Sequence, residues 1–238
     1  MHPLSPSPLT LHQFGACARS KSVRIVLHCK GLPFHAIETP LLGRWRLRRL
    51  SGQAWPPVLL AHDGRVIVHA SRIVRYLEGV APEVPLFPNG PEARDRDFAT
   101  ERFAENELHL LGVALKYLNP RNHRAALASV ACNYRDGYNA ALLPLLPLAQ
   151  RLRLSRFGIR ARDLDELRRR FRDAFETFER ALQESPYLIG PVPTCADVRI
   201  YAVLWALRGC EEVAALADMS GLGAWFRRLE DEHGWDRA

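Results

Sequence analysis

Cys17 carries the chemistry this sequence offers most plainly. It stands in "FGACARSKSVR", Phe14 to Arg24, after a glycine turn and just before a helical pattern. The thiolate is the reactive form of cysteine, and a helix N-terminus stabilises it through the macrodipole and unpaired backbone N–H groups. Arg19 and Lys21 lie close in sequence and add positive charge. A thiolate so placed attacks a mixed disulfide or captures a small thiol as one. The motif is Cys17-Ala18-Arg19-Ser20, a C-x-x-S. Ser20 can donate a hydrogen bond to the thiolate, but it cannot resolve a disulfide. Cys29 cannot resolve one either, since twelve helical residues at about 1.5 Å each set it roughly 18 Å away. Any redox cycle would be monothiol, with an external thiol completing it. The bland alternative is a buried, inert cysteine, because free cysteine packs as a small hydrophobe. That reading is the one adopted for Cys29, Cys132, Cys195 and Cys210.

The elements that must position Cys17 can be read on either side of it. Leu9 to Phe14 ("LTLHQF") alternates and reads as a strand. Cys17 to Lys30 has a helical apolar face of Val23, Ile25, Val26 and Leu27, closed by Gly31. "LPFHAIET" is a second strand and "GRWRLRRLSG" a short helix or loop. "PPVLLAHDGRVIVHA" gives a hairpin around Asp63-Gly64. "SRIVRYLEG" then starts a helix that Gly79 closes. After the Pro-rich "APEVPLFPNGPEA" the pattern turns helical throughout: Arg94 to about Leu118, about Arg121 to Leu154, Asp163 to Glu184, Cys195 to Leu207, and Leu222 to about Glu232. The expected layout is α/β plus all-α: an α/β domain over 1–80, a linker over 81–92 and a helical domain over 93–238.

Bulk composition narrows the class. The 238 residues suit two small domains, and 47% hydrophobic with 25% charged residues is ordinary for a globular chain. The richest apolar run, Ala140 to Ala149, is broken by Pro144 and Pro147 and falls far short of the roughly 20 residues a bilayer span needs. "MHPLSPSPLTLHQ" lacks the basic and apolar regions of a signal peptide, so a cytoplasmic protein is expected. Five cysteines, widely spaced and odd in number, argue against a disulfide framework and against a metal site. Net charge is +7, with 30 Arg and 3 Lys, a ratio that reads as coding bias. The clusters "RWRLRR" and "RRRFR" match no nucleic-acid module, though a basic surface favours anionic small molecules.

Four stretches in this order carry a family resemblance over nearly the whole chain: "GACARSKSVRIVLHCKGLPF", "PPVLLAHDGRVIV", "SRIVRYLE" and "YLIGPVPTCADVRIYAVLW". They resemble the cytosolic glutathione transferase superfamily, and "GACARS" looks most like its cysteine-type members, the beta and omega classes. The resemblance implies a thioredoxin-like N-terminal domain that binds glutathione as co-substrate, a helical-bundle C-terminal domain and a homodimer. It also implies a small hydrophobic electrophile held between the domains, against the long helices that start near Arg94, with Tyr117 near it. In the last stretch Thr194-Cys195-Ala196-Asp197 is an S/T-x-x-D capping box, which supports the fold and not activity.

The same resemblance implies a peptide-binding set of Ser20, Pro56, Pro57, His69, Ala70 and Ser71. Two of these depart from the family pattern. "WPPVLL" makes Pro57 the cis-proline and Pro56 the residue before it, and proline has no N–H to give glutathione. Losing one such bond costs on the order of 1 kcal/mol. Aligning on "IVRYLE" puts His69 and Ala70 where the family has an acidic or amide residue and a serine. The hydroxyl is missing from Ala70, while Ser71 can cap the helix and the N–H groups of the helix start can still bind a carboxylate. His69 reads equally as a carboxylate partner and as a plain surface or capping histidine. Two functions therefore stand side by side. One is a glutathione-dependent enzyme with Cys17 as nucleophile, doing thiol transfer or converting an electrophile. The other is a non-catalytic binding or regulatory protein with impaired glutathione binding. A third reading, an unrelated helical protein with a thioredoxin-like start, is opposed by the "TCAD" box and the chain length.

Overall fold

Alternation in the first eighty residues becomes a four-stranded sheet in which the strands, numbered along the chain, stand in the order second, first, third, fourth. The computed structural model describes residues 8–39, 44–131 and 141–238. Strand β1 (Leu9–Gln13) leads into helix α1 (Ala18–Cys29), which returns the chain to β2 (Phe34–Glu38), parallel to β1. Helix α2 (Arg44–Ser51) follows, then the hairpin β3 (Val58–Leu60) and β4 (Val66–Val68), with β3 antiparallel to both β1 and β4. Asp63-Gly64 makes the turn, with Gly64 at φ 80°, a backbone region glycine enters without a Cβ penalty. Helix α3 (Ala70–Val80) closes this half. Gly79 does not end it: the helix runs one residue further and Ala81 caps it. The sheet, α1 and α3 give the thioredoxin-like arrangement.

Everything after it is helical. Helix α4 (Pro91–Phe103) begins three residues before the expected Arg94. Gly90 at φ 88° precedes Pro91, whose fixed φ suits the first turn, so the supposed linker proline is a helix starter. The helix widens into a π turn over Ala104–Leu108 and continues without a break as α5 (His109–Leu118). The expected helix from about Arg121 to Leu154 is instead a 3₁₀ turn (Pro120–Asn122), α6 (His123–Ala131), a second 3₁₀ turn (Leu143–Leu145) and α7 (Leu146–Ser155). Pro144 and Pro147 each lack the N–H that a continuous helix needs, and Cys132 lies outside the described residues. Helices α8 (Leu164–Glu184) and α9 (Cys195–Ala206) follow, then a short α10 (Glu211–Ala214) that no pattern announced, and α11 (Ser220–Asp231). Among the described residues no helix is long and apolar enough to cross a membrane.

The halves are joined by α9, which packs along α1. It starts where the capping box predicts. The Thr194 N–H donates to Asp197 Oδ2 at 2.9 Å, and Asp197 Oδ1 accepts from the indole of Trp225 at 2.7 Å. Buried charge crosses the same seam. Arg199, 5% exposed on α9, donates to Ser22 on α1 at 2.9 Å and to Glu101 on α4 at 2.8 Å. Lys21 donates to the carbonyls of Asp236 and Ala238, and Trp235 gives its indole N–H to Cys29 Sγ at 3.2 Å. A thioredoxin-like sheet followed by a helical domain is what these contacts hold together.

Candidate active site at the sheet end between the two domains

The strand registers bring the site residues to one end of the sheet. His12 pairs with Val58, and Val58 with Val68. The C-terminal end of β1, the N-terminal end of β3 and the C-terminal end of β4 therefore meet. Each carries a special segment just beyond the ladder: the Phe14–Cys17 turn after β1, the cis Pro56–Pro57 peptide before β3, and His69 at φ 67° after β4. A non-glycine residue at positive φ is costly and marks a position fixed by its surroundings.

Hydrogen bonds fix the Cys17 turn from several sides. The Cys17 N–H donates to Phe14 O at 2.9 Å, and its own carbonyl accepts from Lys21 N at 2.9 Å, the first bond of α1. Cys17 is thus the N-cap, at φ −96° and ψ 132°, and the N–H groups of Ala18, Arg19 and Ser20 precede the first intrahelical bond. Glu38 accepts from Gly15 N at 3.0 Å and from Gln13 Nε2 at 2.8 Å. Burial pushes its carboxyl pKa up, while those two bonds and Arg24 pull it back. Arg24 reaches Gln13 Oε1 and Gly15 O and lies over the Trp205 ring. An ionised Cys17 interacts with the guanidiniums of both Arg24 and Arg153.

Above the thiol lies a cleft of about 660 Å³, part of it open to solvent. Its floor is Phe14, Ala16, Cys17 and Ala18, and Trp55 and Pro56 form one side. Three helices supply the rest through their stripes: His109, Gly112, Val113, Lys116 and Tyr117 from α5, Gln150 and Arg153 from α7, and Val203 and Ala206 from α9 with its C-cap Leu207. At Gly112 an added Cβ would meet Leu207 Cδ1 at 3.1 Å, so α5 and α9 approach closely there. His109 is half-buried. Desolvation, with Arg19 and Arg153 adding to it, drives its pKa down to about 3, so the ring is neutral. Burial pushes the Tyr117 hydroxyl pKa up, keeping it protonated. Lys116 is buried and donates to Ala206 O at 2.6 Å, at the C-terminal end of α9.

Of the residues singled out in the sequence, Cys17 and Pro56 line the cleft, with Tyr117 opposite them. Pro57 is buried beneath, and the Pro56–Pro57 bond is cis. Ser20 is fully buried, and its oxygen accepts the Phe14 N–H at 3.1 Å. It makes no hydrogen bond to Cys17 here and braces the turn instead. His69 is exposed and forms the N-cap of α3. Ala70 is buried as the first helical residue, and Ser71 lies inside the first turn, so it is not the cap. These three sit beside the cleft at the same sheet end and not in its lining. Trp55, His109, Gln150 and Arg153 were missed. A signal existed for His109: positions 109, 112, 113, 116 and 117 follow the i, i+3, i+4, i+7 rule of a buried stripe, yet hold His and Lys among apolar residues. The other described cysteines do not compete with Cys17. Burial raises the thiol pKa of Cys29 and Cys195, and lifts that of Cys210 to about 11.

Comparison with known proteins agrees with this geometry. Residues 11–85 match the family model "Glutathione S-transferase, N-terminal domain", and residues 145–228 match "Glutathione S-transferase, C-terminal domain". Mouse (Mus musculus) prostaglandin E synthase 2 is 26% identical, over 96% of this chain and 71% of its own length. Among solved structures, the beta-etherase LigF from Sphingobium sp. strain SYK-6 superposes with a TM-score of 0.72 at 21% identity, covering 97% of this chain and 99% of that one. A glutathione S-transferase from Rhodospirillum rubrum gives 0.70 at 16%, over 94% and 88%. A glutathione transferase homologue from Sulfitobacter, crystallised with glutathione, gives 0.63 at 13%, over 94% and 93%.

Proposed function

The chain belongs to the glutathione transferase superfamily, and from that premise we propose that it is an enzyme with Cys17 as its nucleophile and glutathione as its co-substrate. One observation carries the reading: Cys17 caps α1 with its thiol on the floor of an interdomain cleft, beside a cis-proline and among guanidiniums. In thiol transfer, the Cys17 thiolate attacks the glutathionyl sulfur of a mixed disulfide. A Cys17–glutathione S–S bond forms, the old S–S bond breaks, and the released thiolate takes a proton from solvent. A second glutathione thiolate then attacks that bond, leaving oxidised glutathione and the Cys17 thiolate. With a carbon electrophile, the glutathione thiolate forms the C–S bond and the leaving group departs with the bonding pair. As in the resemblance, the active form is a homodimer in the cytoplasm, where thiols stay reduced.

The test is calorimetric binding of glutathione to the protein and to Cys17→Ala, with intact-mass analysis after exposure to oxidised glutathione. Binding at micromolar to low millimolar strength, with one glutathionyl group gained at Cys17 and none in the variant, is expected. Sedimentation of the same samples reads the dimer. Absence of both binding and modification overturns the enzyme reading in favour of a non-catalytic binding protein. Pro56 and Ala70 favour that second reading, because neither offers the hydrogen-bond donor its position would use on glutathione.

A further inference from the structure

Among the described residues Arg153 is the one guanidinium that lines the cleft, and no carboxylate pairs with it; an ionised Cys17 on the floor is the negative group that acts on it. Among the described residues Arg153 makes no hydrogen bond and no ion pair with a carboxylate, and it lies over the face of Trp55, at 4.8 Å from ring centroid to Cζ. Arg44 approaches the same indole at 3.6 Å. The permanent charge beside Arg153 is of the same sign: Arg19 acts on Arg153, and on His109 beside it. Among the described residues no Asp or Glu lines the cleft. Two further polar atoms nearby are buried without a partner, Gln150 Oε1, one helical turn before Arg153, and Arg19 Nε. Desolvated cations and orphaned polar atoms are costly until something satisfies them. The rest of the wall is apolar and partly aromatic, from Phe14, Trp55, Val113 and Leu207.

We propose that the cleft selects electrophiles whose flat apolar body carries a carboxylate, and that Arg153 is the residue that reads that carboxylate. The proposal rests on the transferase reading above and names its substrate class. A guanidinium stacked on an indole keeps its N–H edge free, and that edge forks onto the two oxygens of a carboxylate. The aromatic body then lies on the apolar wall with its reactive carbon toward Cys17 and the glutathione sulfur. His109 is neutral, so it adds no charge that would make the recognition indifferent to Arg153.

The experiment uses 4-chloro-3-nitrobenzoate and its methyl ester with glutathione, on the wild type, Arg153→Leu and Arg153→Lys. In the reaction the glutathione thiolate adds to the ring carbon that bears chlorine, and chloride leaves with the bonding pair. The wild type is expected to favour the acid in kcat/KM by about tenfold or more, the scale of one hydrogen-bonded charge pair. In Arg153→Leu that ratio falls toward one, chiefly through KM for the acid, and Arg153→Lys restores part of it. If Arg153 serves only to hold the Cys17 thiolate, acid and ester lose rate together and the ratio does not move, which overturns the proposal. Calorimetric binding of the acid without glutathione separates the two readings. Binding that depends on Arg153 in a protein with no turnover sinks the transferase reading and keeps this one. No binding of the acid, or binding equal in Arg153→Leu, sinks this one whether or not glutathione is turned over.

Discussion

Two arginines on facing helices show what burial does to a guanidinium. Arg199 on α9 is 5% exposed and held on two sides, by Glu101 and Ser22. Arg153 on α7 is partly exposed and, among the described residues, is held by no hydrogen bond, only by the indole beneath it. Both sit between the domains. One is closed by carboxylate and hydroxyl from two other helices, so its charge is spent on the fold. The other opens on the thiol with Arg19 as its charged neighbour, so its charge is left for whatever enters. The same residue type thus serves cohesion at one place and recognition at another, and the partner list separates the roles.

The largest effect should come from breaking the closed site. Arg199→Leu strands the Glu101 carboxylate in the seam, where, among the described residues, only Arg75, at 3.6 Å and half-exposed, still reaches it. A loss of roughly 3 kcal/mol, the lower end for unpairing a buried charge, is expected from chemical denaturation. A loss below about 1 kcal/mol would mean that the pair contributes little and that the comparison with Arg153 fails.

One helical turn before Glu101, Asp97 sharpens the point through pH. It is fully buried and accepts from Ala196 N at 2.8 Å, at the start of α9. Burial, with Glu101 and Asp197 nearby, raises its pKa from 3.8 to about 6. The folded state therefore binds a proton that the unfolded state releases. The stability this contributes is complete below about pH 4 and is lost as pH rises through about 6. The difference is on the order of 2 to 3 kcal/mol. Asp97→Asn keeps an acceptor for the amide and removes the titration. Stability of wild type minus variant, measured between pH 4 and 7, should fall across that window, and a flat difference would refute the assignment.

How much of this the sequence revealed follows from the range of each interaction. The hairpin at Asp63-Gly64, the α1 start at Cys17 and the Thr194–Asp197 box are local, and they lie where the pattern put them. The helix expected from about Arg121 to Leu154 does not form as one piece, because Pro144 and Pro147 each lack the N–H that would carry a helix through the apolar run. The site was legible on the sheet side, where Cys17, Pro56 and Pro57 sit on local turns. It was nearly silent on the helical side, because His109, Gln150 and Arg153 meet Trp55 and the thiol only through packing. Composition hid a further regularity. All three lysines are buried, and each ammonium donates to backbone carbonyls: Lys21 to Asp236 and Ala238, Lys30 to Ala81 and Val84, Lys116 to Ala206. A slim tetrahedral ammonium fits convergent carbonyls better than a planar fork does, so coding bias does not account for where lysine survives.

The smallest stability effect belongs to the open site, and its smallness is the claim. Arg153→Leu removes a cation–π contact worth about 0.5–1 kcal/mol at a partly exposed position. It also relieves the repulsion from Arg19. These oppose each other, so the melting temperature should shift far less than in Arg199→Leu. Benzoate turns that near-cancellation into a signal. A ligand that binds the folded state alone raises stability in proportion to the logarithm of its concentration over Kd. Millimolar benzoate should therefore raise the melting temperature of the wild type and leave Arg153→Leu unmoved, while the uncharged benzamide moves neither. Chloride at the same ionic strength serves as the control, since screening acts on every exposed charge and would shift both proteins alike. Equal shifts in both proteins with benzoate would place the anion elsewhere on this basic surface, and Arg153 would then be an unpaired charge without a role in recognition.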